Sequence, residues 1–462
     1  MKRKDVAVIA VLTSLVCPLS GFASDYQAVS KQAEQQARWG LLGDAVDSYR
    51  QVLANPDLSD HHDQARLRLA RLYMDSFDYA AARAALQPLL SRSSDSAEAK
   101  QARKLERKLA SKTKTHSVGG KLQLGLVHDT DTANASASSP VADPVFLDDD
   151  EEGGEAEDDA FEDDADFADL EFEDDMLDDI LEDVDLDEDD LEDSGLVSED
   201  DDEDVDPGTG SAPSKRSVHD NRRLSTAAMR YAYGFNSRGD RWLLSGNFSQ
   251  ARQDDQTQLN RQTWAVSTGP EFLLPEWRLK LNPSVTYLQL YKDHHYDLSS
   301  SIWSMGVSHK PNRVLEVGAR YNYENRSLYS DDSPDVEVDT LKLSAKLKPT
   351  SHDTLDLSFS PKVEDNDQRK KDKDQHGWKL AYARKLPWDS FATVAFSRRH
   401  TDYDNDPKGK QEDEDKYAVS LGHKLTKQLQ VAVSYEHKDK DSNQPGKDKN
   451  NESTALTVTY RF

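Results

Sequence analysis

The chain has 462 residues, a formal net charge of −29 at pH 7 and a single cysteine. Such acidity excludes nucleic acid as a partner, because phosphate binding needs a basic surface. One cysteine excludes an internal disulfide. The charge is unevenly placed: residues 148–206 hold 36 Asp and Glu and no Lys or Arg, so the remainder carries +7.

Residues 1–23 read as a secretory signal peptide. Lys2, Arg3 and Lys4 precede an apolar run from Val6 to Val16, and Gly21-Phe22-Ala23 supplies small residues for cleavage. Cys17 lies inside this segment, so the mature chain has no thiol chemistry to offer. Beyond it no run of about 18 apolar residues occurs, so no helix is expected to span a membrane.

Residues 24–112 carry apolar residues at helical spacing and form the predicted periplasmic domain. Leu42, Ala45, Tyr49, Val52 and Leu53 make one unit. Leu69, Ala70 and Tyr73, followed by Tyr79, Ala82, Leu86, Leu89 and Leu90, make a second. Ala45 and Ala82 are spaced much as in tetratricopeptide repeats, where small residues let paired helices cross closely. An ordinary helical hairpin has the same pattern. A further helix over Ala97–Ala110 closes the stack.

From 116 to 462 the pattern changes to strict alternation, and fourteen strands are expected. The last is the clearest. Leu456, Val458, Tyr460 and Phe462 share one face, and Ala455, Thr457, Thr459 and Arg461 the other. Backbone groups in lipid must all be paired, so the fold class is an all-β transmembrane barrel of fourteen antiparallel strands, preceded by a small α-helical tetratricopeptide-like domain. Leu456, Val458, Tyr460 and Phe462 are the expected signal to the barrel-assembly machinery, because this strand must pair with the first to remove both edges.

Short turns follow even-numbered strands, and longer polar loops are expected at Asp293–Ser299, Asn366–Gln375, Asp402–Asp415 and Asp439–Lys449. That asymmetry predicts periplasmic turns and extracellular loops in a Gram-negative outer membrane. Residues 129–220 then form a long first extracellular loop containing the acidic segment. Its charge resists packing at neutral pH and attracts divalent cations, although calcium-loop spacing is absent. Aromatic girdles in contact with outer-membrane lipid are expected at Trp242, Trp277, Trp388 and Phe462 on the turn side, and at Tyr291, Tyr323 and Tyr403 on the loop side.

The opposite strand faces point inward. Lys121, Arg230, Arg278, Lys280, Arg320, Lys342, Lys346, Lys379, Lys424 and Arg461 are assigned to this lumen, against the acids Glu316, Asp356 and Glu436. A basic lumen favours anionic substrates or an anionic plug, and the acidic segment is long enough to serve as one. His61-His62 and His294-His295 lack the grouping a hydrolase needs, so no enzyme, no cofactor and no specific metal site is expected.

The strand Gly120-Lys-Leu-Gln-Leu-Gly-Leu-Val-His-Asp129, running into Thr130-Asp-Thr-Ala-Asn134, is similar to the glycine-rich first strand of the surface lipoprotein assembly modifier family. The domain order also resembles that family, while the short helical domain and the acidic insertion depart from it. The resemblance implies a translocator that delivers a partner protein, a lipoprotein, to the cell surface, with the helical domain receiving the periplasmic passenger. Two other readings stay open: an exopolysaccharide export porin for an anionic polymer, and a surface adhesion or cation-binding barrel.

Overall fold

The computed structural model describes residues 26–91, 96–130, 220–254, 257–293, 295–312, 314–328, 335–366, 372–445 and 447–462. The signal segment 1–23 and the acidic segment 148–206, with the expected plug, lie outside these residues. The chain divides into a helical unit (through Tyr73, and from Ala81 to Leu105) and a unit that holds the barrel.

Among the described residues five α-helices precede the strands: α1 (Tyr26–Arg38), α2 (Leu42–Ala54), α3 (His62–Asp75), α4 (Tyr79–Leu90) and α5 (Ala97–Lys112). One core gathers Ala33, Ala45, Tyr49, Val52, Ala65 and Leu69 from the first three helices, and a second gathers Leu67, Ala70, Leu86, Leu89 and Ala102. Ala45 and Ala82 are both fully buried, as residues at close helix crossings must be. The histidines here do structural work: His61 stacks on Tyr26 at 4.4 Å between ring centroids, and His62 Nε2 lies 3.0 Å from the Asn55 carbonyl. Among the described residues no helix is long and apolar enough to cross a membrane.

The rest is one closed antiparallel barrel of fourteen strands, each paired with its sequence neighbours and β1 with β14. In order the strands are β1 (His116–Asp129), β2 (Asp220–Gly234), β3 (Arg241–Gln253), β4 (Arg261–Leu274), β5 (Leu279–Lys292), β6 (His295–His309) and β7 (Leu315–Leu328). They continue as β8 (Val336–Leu347), β9 (Asp353–Asn366), β10 (Lys373–Leu386), β11 (Ser390–Tyr403), β12 (Gln411–Lys424), β13 (Leu429–Ser442) and β14 (Lys449–Arg461). Following the register once around from Asp129 through Ser453, Glu436, Ala418, Ala395, Ala381, Asp356, Lys346 and Glu316 returns to β1 with a stagger of roughly 18 residues. Fourteen strands with that stagger tilt by about 40° and enclose a backbone cylinder about 27 Å across.

The seam between β1 and β14 is fastened at both ends. On the turn side Gly120 and Phe462 exchange backbone hydrogen bonds, each 3.0 Å, and the Phe462 ring lies against Gly120 where a Cβ would collide with it. On the loop side the Thr130 amide donates to the Glu452 carbonyl at 3.0 Å, and Ser453 donates to Asp129.

The outer face is apolar, as lipid requires. Leu122, Leu124, Leu126, Trp264, Val266, Leu343, Val394, Val419, Leu421, Leu456 and Val458 are all exposed outward. Buried in water this band would be an aggregation surface; in a bilayer it needs no partner. Trp264, Tyr287, Trp303, Tyr321, Trp378, Tyr417 and Tyr435 form its loop-side aromatic ring, and Tyr233, Trp242, Phe272, Trp277, Trp388, Tyr460 and Phe462 its turn-side ring.

Three expectations need correction. The strands run beyond the lipid-facing band, so the polar stretches expected as loops are in part strand. Asp293–Ser299 is a tight hairpin, with β5 ending at Lys292, β6 starting at His295 and Asp293 at φ 46°. The ends of Asn366–Gln375, Asp402–Asp415 and Asp439–Lys449 are likewise paired, with 404–410 a turn between β11 and β12 and 367–371 outside the described residues. A closed ladder continues into water when both its faces are polar. The difference in connection length between the two ends therefore rests mainly on 130–219. Second, Tyr403 is buried inside the barrel rather than in a girdle, because it falls on the same face of β11 as Thr393, Ala395 and Thr401. Third, Arg278 is not on a lumen-facing strand. Pro275–Trp277 forms a single 3-10 turn before β5, and Arg278 sits in the left-handed region after it at φ 50°, donating to the Pro311 carbonyl.

Candidate functional site

The lumen is the candidate site, and register sorts its residues into three levels. At the turn-side mouth Lys121, Arg230, Arg241, Lys280, Lys346, Lys385, Lys424 and Arg461 occupy inward positions near the strand ends. The carboxylates at this level are fewer: Glu271, Glu316 and Asp356. Glu271 is buried between Arg241, 2.7 Å away, and Lys280, at 3.4 Å. Asp356 lies 3.9 Å from Lys346.

At the waist the inward residues are small and mostly neutral: Asn247, Ser267, Thr286, Ser304, Ser344, Ser358, Ala395, Ser420, Ser434 and Thr457. Three cations interrupt them. Arg320 and Lys342 are in direct register on β7 and β8, and Lys379 follows two strands along on β10. Asp356, two residues along β9 from the register partner of Lys379, interacts with that lysine, and the other waist residues named above are neutral.

The loop-side half is different, and the sequence reading missed most of it. Asp129 pairs with Arg222 at 2.9 Å, both essentially inaccessible. Glu324 pairs with Arg326 at 3.1 Å, and Arg326 spans β8 to reach Glu364 at 4.0 Å. Lys438 reaches Glu414 at 3.0 Å, Lys416 reaches Glu436 at 3.3 Å, and Glu412 lies between Lys410 at 3.2 Å and Lys440 at 2.9 Å. The Tyr403 hydroxyl donates to Glu412 at 3.0 Å, with Lys410 Nζ 4.2 Å from the centre of its ring. These pairs cancel locally and bind neighbouring strands together. Among the described inward strand residues bases outnumber carboxylates at the waist and the turn-side mouth, and on the loop side too, where Arg261, Lys292, Lys373 and Arg399 add to the pairs; a low-dielectric wall focuses the resulting field.

Nine of the ten predicted lumen bases therefore face inward, and Arg278 does not. Asp129, Glu412 and Glu414 went unassigned because they fall in stretches that read as loops, and Glu271, Glu324 and Glu364 because they lie beyond the outward apolar residues that mark their strands. Alternation counted outward from the clear strand centres reaches each of them. Leu456, Val458, Tyr460 and Phe462 lie on the outer face of the closing strand. Among the described residues no three His, Cys, Asp or Glu are placed to hold a metal ion.

No family model matches the sequence, and no curated protein matches it. Among solved structures the fold is similar to the outer membrane channel DcaP of Acinetobacter baumannii, at 8% identity and a TM-score of 0.39, over 75% of this chain and 97% of that one. It is similar to the anion-selective porin from Comamonas acidovorans, at 6% identity and a TM-score of 0.37, over 75% of this chain and 99% of the porin. It is also similar to OmpT, an outer membrane protein of Vibrio cholerae, at 11% identity and a TM-score of 0.34, over 53% of this chain and 93% of that one. Superpositions this loose carry neither substrate nor selectivity from those proteins to this chain.

Proposed function

We propose that the protein is a conduit for anions in a Gram-negative outer membrane, with the helical unit and the turns in the periplasm and 129–220 outside. The observation that carries this reading is the cationic mouth and waist, where Lys121, Arg230, Lys424 and Arg461 lead to Arg320, Lys342 and Lys379. Anions entering such a wall gain electrostatic free energy that salt weakens. In planar bilayers under a potassium chloride gradient the reversal potential takes the sign of chloride selectivity, and selectivity falls as salt rises. Cation selectivity refutes the reading. Protease added to intact cells is expected to cut within 129–220 and to spare 25–112; the reverse refutes the orientation.

A second reading makes the conduit a translocator for a partner protein, a lipoprotein, received by the helical unit. It is favoured by the consecutive helices that pack through fully buried Ala45 and Ala82, the arrangement a tetratricopeptide-like receptor uses to present a concave face. Leu456, Val458, Tyr460 and Phe462 would then serve the barrel-assembly machinery in placing it. Surface proteomics of a deletion strain separates the readings. Loss of one surface lipoprotein supports translocation, whereas an unchanged surface with lowered anion uptake leaves the simple conduit.

A further inference from the structure

The corner between α3 and α4 does not group with the rest of the helices. Residues Met74–Ala80 belong instead to the unit that holds the barrel. Tyr79 begins α4 and is only 5% exposed. Its ring lies against Gly239 in the turn between β2 and β3, where a Cβ would stand 2.7 Å from the ring and 3.2 Å from Leu273 Cδ1. Gly239 is at φ 95°, so the backbone also favours glycine there. Leu273 fixes the side of the wall on which this contact lies. It shares the inward face of β4 with Ala265, Ser267 and Glu271, so the Tyr79 ring meets the turn from the lumen side.

The seat is braced. The Leu273 amide donates to Asp240 Oδ1 at 2.7 Å, and Asn236 Nδ2 donates to Asp240 Oδ2 at 2.6 Å. One buried carboxylate thus ties the β2–β3 turn to the end of β4. Leu273 is an apolar residue among inward neighbours at this mouth that are mostly charged or small, and it is buried. Leucine at a wet mouth is favourable only where something covers it, and the Tyr79 ring does so. A second tie is electrostatic: Asp75, the last residue of α3, acts on the charge of Arg278 in the turn between β4 and β5. Phe77, at φ 61°, turns the chain between the two ties.

We propose that this corner is a latch on the turn-side mouth: seated, the Tyr79 ring narrows the entrance to the lumen, and released, it widens it. One ring contact and one charge contact are few enough to break while the strands stay paired. Tyr79 is the first residue of α4, so a passenger or ligand that binds this helix more tightly with the corner released shifts the mouth toward the open state. The proposal rests on the conduit reading and adds its regulation.

The test uses the full chain in planar bilayers, with Cys17→Ser to remove its one cysteine. In that background Tyr79→Cys with Leu273→Cys is treated with a short bifunctional thiosulfonate, and the link is read by mass spectrometry of the joined peptides. The expected result is a linked chain that conducts at least two-fold less than the same chain after reductant. Tyr79→Ala should conduct at least two-fold more than the native chain, and Tyr79→Phe should match it. Absence of joined peptides overturns the seat. A linked chain with equal conductance before and after reductant overturns the latch, as does native conductance in Tyr79→Ala. Should Tyr79→Ala fail to fold, the linked pair decides alone. Reversal potentials in the same bilayers keep the two readings apart: latching in a cation-selective barrel keeps the latch and removes the anion conduit, whereas chloride selectivity without latching does the reverse.

Discussion

Asp129 offers the sharpest test of how the barrel is closed. Its carboxylate is fully buried at the end of β1, 2.9 Å from Arg222 Nε on β2, and it accepts from Ser453 on β14. A single side chain thus links three strands across the seam. Asp129→Asn keeps the shape and removes the charge, leaving the Arg222 guanidinium, itself only 2% exposed, without this carboxylate. Breaking such a pair from one side costs about 3–5 kcal/mol. Weakening the charge-assisted bond from Ser453 falls within that figure. At about 3 kcal/mol the folded population drops by at least ~100-fold at a given denaturant concentration. The assay is urea unfolding in lipid vesicles, followed by tryptophan fluorescence. The companion is Asp129→Leu with Arg222→Met, which replaces the pair by apolar groups and should lie within about 2 kcal/mol of the native chain, the remaining cost being the Ser453 hydroxyl left without this acceptor. The reasoning fails if Asp129→Asn lies within about 0.5 kcal/mol of the native chain, or if the double variant is no better than the single.

Three further outcomes can be checked. Removing 460–462 takes away the Phe462 ring and both of its backbone bonds to Gly120, so the chain should accumulate in the periplasm or be degraded; normal outer-membrane levels would make the terminal pattern incidental. Ser453→Ala deletes one buried donor to Asp129 and should cost about 1–2 kcal/mol in the same urea assay, clearly less than Asp129→Asn. Burial holds the Tyr49 hydroxyl above its ordinary value, so the folded helical unit resists ionising it. That contribution is complete below about pH 10 and is lost as pH rises further. Circular dichroism at 222 nm should therefore show alkaline loss of helix that Tyr49→Phe shifts to higher pH, and identical profiles would mean the hydroxyl is not shielded.

The barrel was legible because lipid imposes a demand that sequence must meet residue by residue. Leu122, Leu124 and Leu126, or Leu456, Val458 and Tyr460, alternate with inward groups and leave little choice of period. Where a strand leaves the lipid that demand lapses. Asp402, Asp413 and Asp439 face outward into water, so paired strand there looks like loop. The same lapse hid the lumen carboxylates Glu364, Glu412 and Glu414, and made the interior look more uniformly basic than it is. Arg278 went astray for a local reason, since Pro275 starts a helical turn that takes up the residues counted as strand. The seat of Tyr79 was out of reach in a different way. Gly239 and Leu273 are commonplace residues until the fold sets them beside it.

The long connection between β1 and β2 bears on the order in which the barrel can be built. Every other neighbouring pair is joined by a few residues, whereas β1 and β2 are separated by roughly 90, which raises the chain-closure entropy of their pairing by about 2 kcal/mol over a six-residue link. β1 therefore has no tight hairpin on one side, and on the other its partner is the last strand made. It is the strand with the least local help from the chain, and its residues Gly120 and Asp129 are the ones tied across to Phe462, Arg222 and Ser453. Assembly ends at both edges of β1 rather than at a single junction, and the fastenings stand where connectivity helps least.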